Sequence, residues 1–213
     1  MTSTLAPRPV GTVAVSFTRQ ALAGLRVLLV LTVLLGIVYP LAVFGVGQVL
    51  FRWQASGSLV AADGSQVTSP SAAVGSLLVG QQFAGEQWFH PRPSAAGDGY
   101  DTLASSGSNL GPNNPDLVSA IEARRAQVAA EEGVDPALVP PDALTASASG
   151  LDPDISPAYA RLQVARVARE RGLPQDEVAA LVERTVVGRD LGILGEPRVD
   201  VLALNLALST MGS

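Results

Sequence analysis

There is no cysteine in these 213 residues, no lysine among the fourteen basic side chains, and one histidine, His90. Each scarcity closes a class of chemistry. Without cysteine the fold cannot lean on disulfides, and cysteine usage gives no compartment signal. Without lysine there is neither a GxxxxGK[ST] phosphate loop nor a Schiff-base amine. A zinc site would need His90 plus carboxylates, and no ligand spacing supports one. A serine hydrolase would need His90 as its base, yet no GxSxG elbow occurs. His90 sits in WFHPRP between aromatic residues and prolines, a setting that favours a structural histidine bonded to loop backbone. Basic runs are missing as well.

What is present in excess is a long apolar run. Val27 to Leu50 reads VLLVLTVLLGIVYPLAVFGVGQVL, twenty-four residues without a charge. At about 1.5 Å per residue it reaches about 36 Å, enough to cross a hydrocarbon core of about 30 Å. Ala55-Ser56-Gly57 resembles a signal cleavage site, but the run is longer than the apolar part of a cleavable signal, so a retained anchor over residues 21–52 is expected. Arg8, Arg19 and Arg26 precede it without an acidic residue, and Arg52 is the only base until Arg92. That asymmetry predicts a cytoplasmic N-terminus, with a disordered tail over residues 1–20, and an exterior location for residues 56–213. Pro40 cannot donate to the carbonyl of Gly36, which predicts a kink. Thr32, Gly36, Pro40, Val43 and Gly47 recur at three- and four-residue spacing, a small-residue face on which another membrane helix can pack closely.

Residues 56–213 are long enough for one domain with its own core. They hold all nineteen acidic residues against ten arginines, a net charge of −9 with His90 neutral. Such a surface argues against nucleic acid and anionic lipid as partners of this domain. Along it, GSLVAADGSQVTSP predicts a hairpin turning at Asp63-Gly64, and Ala73–Phe83 a short buried strand. Asn114-Pro115-Asp116 starts a helix carrying Leu117, Ile121, Arg124, Arg125 and Val128. Ser156-Pro157 starts a second, ending at Gly172. Its apolar face is Leu162, Ala165 and Ala168 or Val164 and Val167, with Arg161, Arg166, Arg169 and Arg171 on the wet side. A third follows Pro174, with Val178, Leu181 and Val182 inward. VDVLALNLAL alternates with period two and predicts a strand. The fold class expected is α+β or mixed α/β: one membrane helix, then a single domain with about three helices and a small sheet.

Between these elements, Gly85–Asn114 is rich in turn-forming residues, yet it carries Trp88, Phe89 and Tyr100, rings that pin an ordered loop to a core. Its last part, SSGSNLGPNNPDL from Ser105 to Leu117, lacks the strand-to-helix context of a phosphate cradle and predicts an ordered external loop. Asp152 and Asp154 in GLDPDISP read as turn formers ahead of a helix rather than as an acid–base pair.

Several segments together resemble the C subunits of Kdp potassium-transporting P-type ATPase complexes. They are GIVYPLAVFGVGQVLF, GSLLVGQQF, WFHPRPSA, SGSNLGPNNPDL, TASASGLDPDISP and LGEPRVDVLALNLAL, in order from about Leu25 to Leu208. The sequence departs from the family pattern at Asp101, Ser106, Ala148 and Asp154, where asparagine, glycine, glycine and histidine are common. The last departure puts in doubt any base or ligand role at position 154.

The resemblance implies a single-span, non-catalytic subunit of an inner-membrane complex that imports potassium at the expense of ATP. A channel-like subunit carries the ion and a separate P-type subunit hydrolyses ATP. The family's C subunit is described as a catalytic chaperone that raises the ATP affinity of the hydrolysing subunit, so ATP enters only through that description, and an exterior domain does not meet cytoplasmic ATP. The competing readings are an anchored exterior enzyme working through His90 and an anchored binding module without a pump. Candidate docking residues are Thr32, Gly36, Pro40 and Gly47 in the span, and His90, Ser108, Asn109, Gly111, Asn113 and Asn114 outside it, with the rigid loop expected near the place where potassium enters the channel-like subunit.

Overall fold

The computed structural model describes residues 10–211, with side chains from Phe17 onward. The chain divides at Ala55 into two compact units, 1–55 and 56–213. The first is helical from Val10: α1 covers Val10–Val33, a single π-turn Leu34–Val38, and α2 Tyr39–Leu50, followed by the short α3, Arg52–Ala55. Within it, Phe17–Leu50 is long and apolar enough to cross a membrane, with mean hydropathy 2.7 and none of its most apolar window buried. Helix thus begins ahead of residue 21, where the anchor was expected to start; residues 1–9 of the expected tail lie outside the described residues.

The π-turn is the local answer to Pro40. A proline removes one N–H and its ring crowds the preceding turn. Here the turn before it widens, and the amide of Tyr39 donates to the carbonyl of Leu34, five residues back instead of four. On the small-residue face, a Cβ built at Gly36 meets nothing within 4 Å, whereas one at Gly47 lies 3.7 Å from Cβ of Ala55 in α3. That is ordinary contact, so a methyl group fits at Gly47 as it does in the open space beside Gly36.

In the second unit β1 (Leu59–Val60) lies between β2 (Gln66–Val67) and β3 (Gly75–Ser76), antiparallel to both. The hairpin turns where expected: Gly64 has φ +79° and donates to the carbonyl of Ala61, and Asp63 accepts from the Ser65 amide at 2.9 Å. The strand expected over Ala73–Phe83 shrinks to Gly75–Ser76, and Leu78 is largely exposed. The run leaves the sheet toward Gly80, whose amide bonds to the carbonyl of Leu151 at 2.8 Å and where an added Cβ would clash with the Asp152 carbonyl.

The helices α4 (Pro115–Glu132), α5 (Pro157–Arg171) and α6 (Gln175–Thr185) begin at their expected signals. Asn114 accepts from the Asp116 amide, Ser156 accepts from that of Tyr159, and Gly133 and Gly172 end α4 and α5 at positive φ. Val164 and Val167 of α5 pack with Val178, Leu181 and Val182 of α6 in the core, while Ala165 stays exposed. The two-residue strands β4 (Asp154–Ile155) and β5 (Val199–Asp200) pair antiparallel. The class is α+β.

Two expectations fail in informative ways. VDVLALNLAL is not a strand: only Val199–Asp200 is extended, and α7 runs over Val201–Ser209. Asp200 caps it, accepting from the Ala203 amide at 2.7 Å. The leucines at every second position also contain a helical stripe, Val201, Leu204, Asn205 and Leu208, all buried. Leucine and alanine are strong helix formers and Val201 is the only β-branched residue within α7, so the cap decides. The second failure is Arg166, placed on the wet side of α5 but fully buried. Helix α5 is enclosed on two faces, and Tyr159, Gln163 and Arg166 form the second stripe.

Candidate functional site

The segment 85–94 has no strand partner, so its backbone polar groups need another source of hydrogen bonds. Three buried side chains supply it. Asn205 of α7 accepts from the Phe89 amide at 2.9 Å and donates to the Phe89 carbonyl at 3.0 Å. Gln163 of α5 does the same for His90, at 2.6 and 3.0 Å. Arg166 donates to the carbonyls of Trp88, at 2.9 Å, and Glu86. Phe89 is thereby held fully buried in the core, and Arg171 lies over the Trp88 ring, 4.3 Å from its centroid. The aromatic pinning expected of this loop is real, but side-chain amides and a guanidinium complete it.

Arg166 also meets Glu132 of α4, Nε to Oε1 at 3.0 Å, with both side chains almost wholly excluded from solvent. Burial raises the Glu132 carboxyl above its ordinary value, and the Arg166 charge opposes that rise. Next to it, Glu131 approaches His90 Nδ1 at 2.8 Å, while His90 Nε2 lies 3.0 Å from the Gly85 carbonyl. Both ring nitrogens lie within hydrogen-bond distance of oxygen atoms of the protein itself. His90 lines a cleft of about 510 Å³ with Arg92, Asp98, Tyr100, Arg124 and Tyr159. Burial, more than the nearby charge of Asp152, pushes the Tyr100 phenol upward; burial likewise raises Tyr159, with Glu132 and Glu131 adding to it. Both phenols therefore stay protonated.

The next stretch is stitched to a second seam, residues 145–152. Arg92 bonds Asp152 at 2.7 Å, Tyr100 donates to the Arg92 carbonyl, and Ser94 donates to the Gly150 carbonyl at 2.6 Å. The Ser106 amide and the Ser105 hydroxyl both donate to the Ser149 carbonyl at 2.9 Å. Gly150, at φ +68°, sits so close that a Cβ there would lie 2.6 Å from the Ala96 nitrogen. Asp152 and Asp154 act in the turn, as their sequence context implies: Asp152 accepts from the Asp154 amide at 3.1 Å.

Beyond Gly107 the chain emerges as an exposed rim. Ser108, Asn109, Gly111 and Asn113 are exposed, and Asn109 holds a left-handed φ of +53°. Asn114 is different, because its side-chain oxygen already caps α4 at 2.8 Å. The candidate residues therefore separate: His90 lines the cleft, Ser108 to Asn113 form the rim, and Thr32, Gly36, Pro40 and Gly47 belong to the other unit. Sequence reasoning missed Gln163, Arg166, Asn205 and Glu132. Their signal is a polar residue on an otherwise buried helical stripe, visible only once the helix phase is known. Among the described residues no group of three or more His, Asp or Glu side chains is arranged to hold a metal ion.

Comparison with known proteins follows the same segments. The family model described as KdpC, K+-transporting ATPase, c chain, matches residues 21–210. A protein of Kineococcus radiotolerans named potassium-transporting ATPase KdpC subunit is 61% identical over 190 residues, covering 89% of this chain and 93% of that one. One of the same name from Beijerinckia indica is 53% identical, covering 85% and 88%. Another, from Mycobacterium tuberculosis, is 52% identical over 195 residues, covering 91% and 99%. The chain belongs to the KdpC family, the c chains of K+-transporting ATPases.

Proposed function

We propose that this chain is a non-catalytic accessory subunit of an ATP-driven potassium importer, anchored in the cell membrane by Phe17–Leu50 with its N-terminus in the cytoplasm. Its second unit then stands outside and presents the rim Ser108–Asn113 to a channel-like, potassium-carrying subunit. The observation that carries this reading is the division of labour in residues 85–114. The backbone of residues 86–106 is tied to α5, α7 and the 145–152 seam, while the exposed Ser108, Asn109 and Asn113 side chains have no hydrogen-bond partner among the described residues. A surface already ordered loses little entropy on docking, and asparagine amides can exchange hydrogen bonds without burying charge. Asp98, Asp101 and Asp116 nearby raise the local cation concentration, an effect that salt screens.

Gly36, with open space beside it, offers the span's close-packing position for a partner helix. The rise in ATP affinity ascribed to the family is exerted, in this reading, through the complex on the P-type subunit rather than by contact of this chain's outer unit with nucleotide. The anchored-enzyme alternative loses ground because both His90 nitrogens face protein acceptors, Glu131 and Gly85, and Ser94 donates its proton elsewhere. Purification in mild detergent tests the reading: the two large pump subunits should co-isolate with this chain. Protease added to intact spheroplasts should cut only after Arg52. A chain isolated alone, or an outer unit fully protected from protease, contradicts it.

A further inference from the structure

The joint between β4 and β5 holds more negative charge than its cations balance. Asp154 lies directly opposite Asp200 across the antiparallel pair, so both carboxylates stand on one face, and like charges so placed repel. Arg198, two residues ahead of Asp200 along the extended chain, shares that face. Its Nε lies 3.4 Å from the Asp154 carboxylate and its Nη1 3.7 Å from that of Asp190. Neighbouring Asp152 is already paired with Arg92 at 2.7 Å. Asp200 has no cation among the described residues; its carboxylate accepts from the Ala203 amide at 2.7 Å. Helix α7, packed on β5, carries no charged residue, and those of α6, Asp176, Glu177, Glu183 and Arg184, are exposed. Burial, with the Asp152 charge adding, raises the Asp154 carboxyl; burial, with the Asp154 charge adding, raises Asp200 to about 6. The positive charge this face lacks is a proton.

The same arginine closes a projecting finger, Val187 to Arg198. Val187 and Arg198 exchange two backbone bonds, at 2.8 and 3.0 Å, and Asp190 and Leu194 exchange two at 2.9 Å. Arg198 alone bridges the finger's Asp190 to Asp154 of β4, so its side chain ties the finger to the joint. We propose that Asp154 and Asp200 form a proton-operated clasp. One proton on the pair leaves Arg198 to hold Asp154 and Asp190 together; its loss draws Arg198 towards the two repelling carboxylates and frees the finger from the joint. The folded-state values are raised, so the closed form is favoured at low pH and is lost as the pH rises through about 6. The clasp is a property of residues 152–200 by themselves and stands whether or not the accessory reading does.

A chain without cysteine accepts a chosen pair of spin labels. Leu191→Cys marks the finger's tip, which is 89% exposed, and Ala165→Cys the exposed side of α5. The distance between the labels is measured on the full chain in detergent. A single narrow distribution is expected at about pH 5 and an added broad one at about pH 7.5, their ratio changing by up to about tenfold per pH unit, the limit for one proton. Asp200→Asn keeps the helix cap without the charge and should hold the narrow distribution at both pH values. Asp154→Asn should move the transition to lower pH or abolish it, because Asp200 then faces no like charge. A distribution that ignores pH overturns the clasp, and so does broadening that survives Asp200→Asn. A transition that Asp154→Asn leaves unmoved, or moves to higher pH, shows Asp200 titrating without its partner and overturns the pair.

Discussion

Replacing Arg166 with methionine removes one side chain and takes a partner from four groups, of which only Gln163 Oε1 keeps another, the His90 amide. Glu132 loses its cation in a site where its side chain is 1% exposed, the carbonyls of Glu86 and Trp88 lose a donor, and so does Gln163 Oε1. Breaking a buried pair from one side costs about 3–5 kcal/mol, because the remaining charge is left uncompensated. A domain of this kind has about 5–15 kcal/mol in all. The core lies wholly within residues 56–213, so that unit can be unfolded separately in urea. With a slope of about 2 kcal/mol per molar, the midpoint should fall by about 2 M. The loss must also depend on pH. Without Arg166 the Glu132 carboxyl is pushed further up by burial, so the penalty is complete at high pH and shrinks as the pH falls and the carboxyl protonates. The double variant Arg166→Met, Glu132→Leu should recover part of the loss, leaving about 1–3 kcal/mol for the orphaned carbonyls. A loss below about 1 kcal/mol, or one that does not change with pH, would refute the account of how segment 85–90 is held.

Asp200 is pushed up to about 6, chiefly by burial, with the α7 backbone amides opposing and the Asp154 charge adding to the rise. Its folded value exceeds the unfolded one, so stability is greatest at low pH and falls as the pH rises from about 4 to above 6. Asp200→Asn keeps a good helix cap without the charge and should stabilise the unit by about 1–2 kcal/mol at pH 7, the gain vanishing near pH 4 in urea titrations. Gly36→Leu should weaken co-isolation of the pump subunits while leaving membrane insertion intact, since only close packing is lost; unchanged co-isolation means the face meets lipid. Gly150→Ala combines a left-handed φ with a Cβ 2.6 Å from the Ala96 nitrogen and should cost more than about 2 kcal/mol by thermal unfolding.

Much of this architecture is legible in the sequence because its signals are local. Asn114-Pro115, Ser156-Pro157 and Pro174 place three helix starts, and Gly172 one helix end, to within a residue, since caps act through adjacent backbone groups. The span announces itself by length and composition. The signals that misled are those in which two periods coexist. Leucines at 202, 204, 206 and 208 satisfy a strand, and only the helical stripe through Val201 and Asn205, together with the Asp200 cap, reveals α7. Arg166 is the same lesson in charge: arginine on a helix reads as wet until a carboxylate and two carbonyls from distant segments enclose it. The loop ahead of the rim reads as ordered from its aromatic residues, but what orders it, over residues 86–106, comes from α5, α7 and the 145–152 seam, contacts separated by up to 116 residues.

The claim at the centre of the account is that the rim docks while the rest of the loop belongs to this chain's own fold. Asn109→Arg with Asn113→Arg addresses it directly, because both side chains are exposed and neither bonds to another of the described residues. Circular dichroism should be unchanged and urea unfolding should show a loss of no more than about 1–2 kcal/mol, the cost of placing arginine in the left-handed backbone of Asn109. Potassium uptake by cells dependent on the complex, measured alongside co-isolation, is the deciding observation. The account predicts a folded chain that fails to support uptake; full uptake with normal assembly would contradict it, and so would a misfolded domain, which would make the rim part of the core.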